Sequence, residues 1–331
     1  MISKSVGTGG DYAHLGLAWA AIVDTTLTDD ITFTITSSQN VTSWPAAGKV
    51  VDCAGHTITV TTAAAGKHGG NQSAGYVITS SVRMRFNVGC RTNSILSITD
   101  LNIRMNLASA TANYAFTVGK IAEIGYSATD IITVKNIMLK QIGAGCYGAD
   151  ISAVLYGSSY VDVSDMKIWG FDRGLLLQTP YTNPTKTRRA RVEHVSVSSA
   201  MSSGSFLVYV RGWDSIKNIV ARRIGVLGSC YSSTSTGTFT NCADTDGSLA
   251  GEVDVDCVTI VPENEFVSLD VDSDDFMKPL PAGTIGALGA TPTFTTDDIS
   301  SLPIPNGAGQ IPIGCHALVY VARRKRLISI F

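Results

Sequence analysis

Ile132-Thr133-Val134-Lys135-Asn136-Ile137, Val161-Asp162-Val163-Ser164-Asp165-Met166 and Ala190-Arg191-Val192-Glu193-His194-Val195 are one pattern written three times. Apolar and polar residues alternate, and a polar residue stands just before the last apolar one. Alternation of this kind is the mark of a short strand. Working outward, the pattern continues upstream in Ile98-Thr99-Asp100-Leu101-Asn102-Ile103. Downstream it returns in Asp214 to Ile219, Gly237 to Cys242 and Val253 to Cys257, and Val50-Val51-Asp52-Cys53 reads as an earlier copy. Counted from Asn102 through Asn136, Asp165, His194, Asn218 and Asn241 to Asp256, the spacings are 34, 29, 29, 24, 23 and 15 residues, and Asp52 precedes Asn102 by 50.

A variable period of this size suits a solenoid whose coils carry loops of different length. Equivalent strands then stack in parallel, ~4.8 Å apart, with alternate side chains inward. Ile103, Ile137, Met166, Val195, Ile219, Cys242 and Cys257 are expected as an inner column. The polar residue before each is expected at a corner, where Asn and Asp tolerate turn geometry and bond to neighbouring backbone. The competing reading is a Val/Ile/Thr-rich sandwich in which such strings arise by chance. A sandwich calls for frequent tight hairpins, yet Asp246-Gly247 is the one Asp-Gly and Asn306-Gly307 the one Asn-Gly. The expected class is therefore all-β, a single right-handed parallel β-helix.

The ends of a parallel stack must be covered. Asp11 can cap a helix in which Leu15, Ala18, Trp19 and Ile22 form one apolar stripe suited to lying over the core. Pro279 to Gly314 is rich in Pro and Gly and reads as irregular chain, and Leu318 to Ala322 with Leu327 to Phe331 reads as a closing hairpin. The expected division is a cap over 1–25, the β-helix over 26–278 and a C-terminal segment over 279–331.

The 331 residues are 44% hydrophobic and only 16% charged, with a formal net charge of -2. Without a global basic field, nucleic acid and anionic membranes are not expected as main partners. Polar residues interrupt every apolar stretch before the ~18 residues a spanning helix needs. Met1-Ile2-Ser3-Lys4 runs into Gly and Asp without the apolar core of a secretory leader, so synthesis and retention in a cytoplasm are expected. Seven cysteines form an odd set with no CxxC pair and read mostly as free thiols.

Candidate chemistry is sparse. A polysaccharide hydrolase needs two carboxylates roughly 5 to 9.5 Å apart. Asp244 and Asp246 on one coil, with Asp270, Asp272, Asp274 and Asp275 further on, are the candidates, although a solvated acidic loop explains the second group more simply. Arg173, Arg188, Arg189, Arg191, Arg211, Arg222 and Arg223 either line one face and bind an anionic sugar or acidic protein, or keep an exposed sheet soluble. Trp169, Phe171, Tyr181 and Trp213 either form a sugar-stacking strip or pack loops down. The basic run Arg323-Arg324-Lys325-Arg326 is the strongest local charge feature and either meets an acidic partner or is solvated. The five histidines have no metal-binding spacing, His194 occupies a corner, and no cofactor fingerprint is present.

Val6-Gly7-Thr8-Gly9-Gly10-Asp11-Tyr12, followed by Leu15 and Ala18, resembles the N-terminal cap of pectin-lyase-like β-helix proteins. Ile311-Pro312-Ile313-Gly314-Cys315 resembles the short Ile-Gly-Ala type motif near the end of many of them. The resemblance covers most of the chain and implies fold more than chemistry, since the superfamily includes lyases, hydrolases, bacteriophage tailspikes and non-enzymatic virion proteins. The paired Asn-Thr-Asp, Asp-Asp, Gly-His-Gly and Arg-Ile-Lys set of polygalacturonase-like members is absent. Combined with the missing leader, the resemblance implies a bacteriophage virion protein, tailspike-like or a capsid decoration, made in the host cytoplasm. Its expected partners are major capsid or tail proteins, two further copies of itself in a homotrimer, and host polysaccharide. The alternatives are a tailspike-type polysaccharide depolymerase and an exported carbohydrate-binding or lyase-like protein.

Overall fold

The computed structural model describes residues 1–89, 93–108, 111–121, 131–143, 146–153, 160–178, 189–200, 206–213, 215–233, 238–251, 254–280, 283–286, 289 and 313–314. The protein is all-β and is built on two parallel sheets. Ile2–Val6, Ile31–Ile35, Thr57–Thr62, Ile95–Met105, Ile131–Gln141, Tyr160–Trp169, Arg189–Ala200, Ser215–Ile224, Thr238–Thr240 and Asp254–Val255 follow one another across the first. Gln39–Val41 and Val77–Ser80 extend it beside the end of Ile95–Met105, and Ala243–Asp244 and Val258–Thr259 beside the end of Ser215–Ile224. The second sheet runs Val51–Asp52, Met84–Gly89, Thr111–Ile121, Cys146–Ala153, Arg173–Gln178, Phe206–Arg211, Ser229–Ser233. From Ile95 to Thr240 the chain visits the two sheets alternately, so each strand pairs with the strand two elements on. The hairpin pairing of a sandwich is not what joins these strands.

Register corrects the start of the repeat. Ile137 lies opposite Leu101 on one side and Met166 on the other, Met166 opposite Val195, and Val195 opposite Ile219. The residue aligned with Asn136 is therefore Asp100, and Asn102 sits beside Met138. Backbone geometry agrees: Asp100, Asn136, Asp165, His194, Asn218, Asn241 and Asp256 all have φ between 49° and 60°. The left-handed region costs an ordinary L-residue roughly 1–2 kcal/mol, and Asn, Asp and His are the side chains that enter it most readily. That requirement explains the residue type at every corner. Asp52 is not a member, because it lies in the second sheet opposite Gly89.

Two residues of the inner column need restating, and one is Cys257, which is only half-buried where it packs on the core. Leu101, not Ile103, stacks with Ile137, Met166, Val195, Ile219 and Cys242, all fully buried, while Ile103 pairs with Leu139 and Ile78. Inward residues of the second sheet, Phe86, Phe116, Ala149, Leu175 and Val208, belong to the same core. Burying each large apolar side chain contributes about 1.5–3 kcal/mol, so the continuous column is the main source of stability.

At the N-terminus the expected helix is present as Leu15–Ala20, with Leu15, Ala18 and Trp19 fully buried. Its cap is His14, whose Nδ1 accepts the Leu17 amide at 3.3 Å, in place of Asp11. Asp11 instead accepts the amide and hydroxyl of Ser5 at 2.8 and 2.9 Å. Those bonds, with Lys4 beside them, hold its carboxyl down at about 2.

Beyond Thr259 the chain covers an outer face. Ile260, Phe266, Phe276, Met277, Ile285 and Ile313 form a second apolar cluster with Met138, Trp169, Val220 and Ala243 of the first sheet. Ile313-Gly314 docks on the corner column: the Gly314 amide bonds the Asn218 carbonyl at 2.8 Å. A Cβ at Gly314 would lie 2.8 Å from Ser196 Oγ, and its φ is 98°, so only glycine fits there. The expected hairpin over 318–331 lies outside the described residues.

Candidate functional site

On the second sheet, consecutive residues turn inward at the start of each strand. Ala115 and Phe116, Gly148 and Ala149, Gly174 and Leu175, Leu207 and Val208 are buried in pairs. Space is tight there: a Cβ at Gly174 would lie 2.1 Å from Val197 Cγ1, and one at Gly148 would lie 2.2 Å from the Gly174 carbonyl. The residue preceding each pair is half-buried, and these are Tyr114, Tyr147, Arg173 and Phe206. Tyr147 is in register with both Tyr114 and Arg173.

The result is a stacked row. The rings of Tyr114 and Tyr147 lie 5.2 Å apart, and the Arg173 guanidinium lies 4.3 Å from the Tyr147 centroid. Phe206 is followed by Tyr209, ring to ring at 6.0 Å. Asp150 stands close enough to Tyr114 for its charge to act on the phenol. Burial pushes the Tyr114 hydroxyl up to about 12, Asp150 adds to the rise, and a hydrogen bond from Arg173 opposes it. Tyr114 is therefore a neutral hydrogen-bonding group at any ordinary pH. Half-buried rings beside a guanidinium can stack a pyranose and bond its hydroxyls or carboxylate.

A groove of about 370 Å³ opens at the N-terminal part of the molecule, lined by Trp44, Pro45, Val82, Arg83, Arg85 and Leu107 among others. Trp44 is fixed by its indole N–H bond to the Arg85 carbonyl at 2.8 Å and by packing on Phe86. Arg83 and Arg85 form no ion pair among the described residues. Burial, then the neighbouring charge of Arg83, lowers the proton affinity of Arg85. An anion in the groove would offset the repulsion between the two guanidiniums.

The residues expected from sequence are placed as follows. Asp244 is fully buried; it accepts the Gly247 amide at 3.1 Å and the Leu249 amide at 2.8 Å, and so shapes the turn into the short helix Ser248–Gly251. Asp246 accepts the Cys230 amide at 2.9 Å and pairs with Arg223 at 3.2 Å. Beside it, Ser248 Oγ accepts the Tyr231 amide at 3.0 Å. Asp272 is on the strap that crosses the first sheet, 79% exposed and 2.5 Å from Lys140, and Asp274 accepts the Ser73 hydroxyl at 2.6 Å. The two groups of aspartates thus serve different parts of the fold.

The arginines do not share one face. Arg191 grips Asp162 through two bonds of 2.7 and 2.6 Å on the first sheet, whereas Arg173 and Arg211 belong to the second. Arg189 begins a strand of the first sheet; Arg188 and Arg323, Arg324, Lys325 and Arg326 lie outside the described residues. Trp169, Phe171 and Trp213 are buried, Phe171 and Trp213 in the main core and Trp169 in the outer cluster with Phe276, and Tyr181 lies outside the described residues. Among the described residues, no three His, Cys, Asp or Glu come together as a metal site, and no helix is long and apolar enough to cross a membrane.

Tyr114, Tyr147, Phe206 and Tyr209 were not singled out by sequence reading. The signal that marks them is an aromatic or Arg, then a small or buried residue, then an inward apolar one, as in Tyr114-Ala115-Phe116 and Arg173-Gly174-Leu175. Compared with known proteins, the chain matches no family model, no curated protein and no solved structure.

Proposed function

We propose that the chain is a right-handed parallel β-helix of the pectin-lyase-like kind and a structural component of a bacteriophage virion, a capsid decoration or tail-associated protein, whose second sheet binds host surface glycans. The alternating visits to two parallel sheets, the left-handed corner column and the cap over one end support the β-helix. The virion role rests on the resemblance of the cap and of the Ile311 to Cys315 motif. The Tyr114–Tyr147–Arg173 row is the observation that carries glycan binding, because it presents rings and a cation side by side on a rigid sheet face. Arg83 and Arg85 favour glycans with acidic units. Side-by-side association of three copies, with capsid or tail proteins as further partners, belongs to the same proposal.

The test is titration of the intact protein with capsular polysaccharide and lipopolysaccharide of the host. Binding should weaken at least tenfold in Tyr147→Ala and in Arg173→Ala, which corresponds to about 1.4 kcal/mol. Binding indifferent to both substitutions, or none at all, would sink the glycan reading. Mass spectrometry of purified particles tests the virion role separately.

One observation favours a depolymerase as a second reading: Asp150 brings a carboxylate to the same row as Tyr114 and Arg173. Release of reducing ends or of an unsaturated product, lost in Asp150→Asn, would establish it.

A further inference from the structure

We propose that Cys242 and Cys257 are a redox pair, closing to a disulfide that staples the last repeat of the first sheet to the one before it. Neither is in a disulfide. They are register neighbours: Ala243 lies opposite Val258, and the Val258 amide donates to the Cys242 carbonyl at 3.0 Å. Adjacent parallel strands place such Cα atoms about 4.8 Å apart, inside the roughly 4.4–6.8 Å that a disulfide spans. The Cys242 amide already points at Cys257 Sγ, 3.3 Å away, and the two thiols share a hydrogen bond.

The pair sits where the fold has most use for a covalent tie. Thr238–Thr240 holds Asp254–Val255 through two register pairs, and Ala243–Asp244 holds Val258–Thr259 through two more. Compare the nine pairs joining Arg189–Ala200 to Ser215–Ile224. The strap that covers the outer face departs from this weakly paired end.

The two thiols differ in access. Cys242 is fully buried, and burial pushes its thiol well above the usual range; Cys257 is half-buried. Cys257 therefore meets the oxidant. With hydrogen peroxide, the Cys257 thiolate attacks one oxygen, the O–O bond breaks, and a sulfenic acid and hydroxide result, the hydroxide taking up the thiol proton as water. Cys242 sulfur then attacks the sulfenic sulfur, the S–O bond breaks, and the hydroxide leaves with the Cys242 proton as a second water. Two thiols and one peroxide give one disulfide and two waters.

The experiment treats the intact, folded protein with hydrogen peroxide and maps peptides without reduction. The expected result is loss of two hydrogen atoms and a cross-linked peptide pair holding Cys242 and Cys257, with Cys53 and Cys230 still thiols. Cys257→Ser should abolish the cross-link, and Cys257→Ala serves as a second variant should the serine disturb folding. In the native sequence, oxidation should raise Tm and slow proteolysis at residues 254–280. Cys257 advancing to sulfinic acid alone, a cross-link to a different cysteine, or no change in mass would each overturn the proposal.

Discussion

Asn218 bonds Nε2 of His194 through its side-chain amide at 3.0 Å, joining two successive corners, while Nδ1 of the same ring bonds the Gly314 carbonyl at 3.1 Å. Since Asn218 is the donor to Nε2, the ring is neutral with its proton on Nδ1. A second proton on Nε2 would face an amide N–H. His68 is held by the same logic, Nε2 donating to the Asn136 carbonyl at 2.9 Å and Nδ1 accepting the Gly70 amide at 3.0 Å.

Acid should therefore loosen the corner column. Burial holds His194 at about 4, against the pull of Glu193 and Gly314 in the other direction, and lowers His68 as well. An exposed imidazole titrates near ~6.5. Between those values the unfolded chain binds more protons than the native one, so stability is complete above about pH 6.5 and lost as pH falls towards 4, by a few kcal/mol in order of magnitude. Tm followed by circular dichroism should drop between pH 7 and 4.5. His194→Asn, which installs the residue found at Asn136 and Asn218, should flatten the drop; an unchanged profile in that variant would clear His194 of the effect.

The corner geometry makes its own prediction. Asn136, at φ 55°, donates to Asp100 Oδ1 at 3.0 Å. Asn136→Ala should cost about 1–3 kcal/mol in urea unfolding, combining the lost bond with left-handed strain. Asn136→Gly loses the bond but not the backbone freedom and should cost less. Equal costs would mean that φ contributes nothing.

Asp244 and Asp272 should respond differently. Asp244→Ala strands the buried Leu249 amide and the half-buried Gly247 amide and should destabilise by about 2–3 kcal/mol, whereas Asp272→Ala, at an exposed pair with Lys140, should leave the urea midpoint unchanged. A neutral Asp244→Ala would show that the turn closes without its carboxylate.

The strap should detach before the sheets unfold. Phe276 is fully buried, its ring 6.0 Å from that of Trp169, and Phe276→Ala should cost about 3 kcal/mol. Hydrogen exchange should show protection lost over residues 260–285 while Ile131–Gln141 stays protected. Uniform loss across both would make strap and sheet one cooperative unit.

The repeat was legible because an inward column and a strained corner both restrict residue type. Its first member was misplaced by two because Ile98 to Ile103 offers a polar residue before an apolar one at both Asp100 and Asn102. A shift of two keeps every side chain on its face, so hydropathy cannot choose; only the sign of φ does. The Tyr114–Tyr147–Arg173 row was hidden for a different reason. Nothing in core packing dictates Tyr114, Tyr147, Arg173 or Phe206, so no repeated residue type announces them. Trp169 and Trp213 drew attention by size, and size is why the core and the strap absorbed them.

The bonds from the Cys230 and Tyr231 amides to Asp246 and Ser248 have a consequence beyond the turn they close. Among the described residues Ser229–Ser233 is the last strand of the second sheet, and its outward amides are what a passing chain would use to add itself as the next strand. With the Cys230 and Tyr231 amides already held by side chains, two of the donors such a chain would use are taken. A protein made of stacked parallel strands carries a standing hazard of growing into fibres, and Asp246 and Ser248 take up donors that such growth would need at this end.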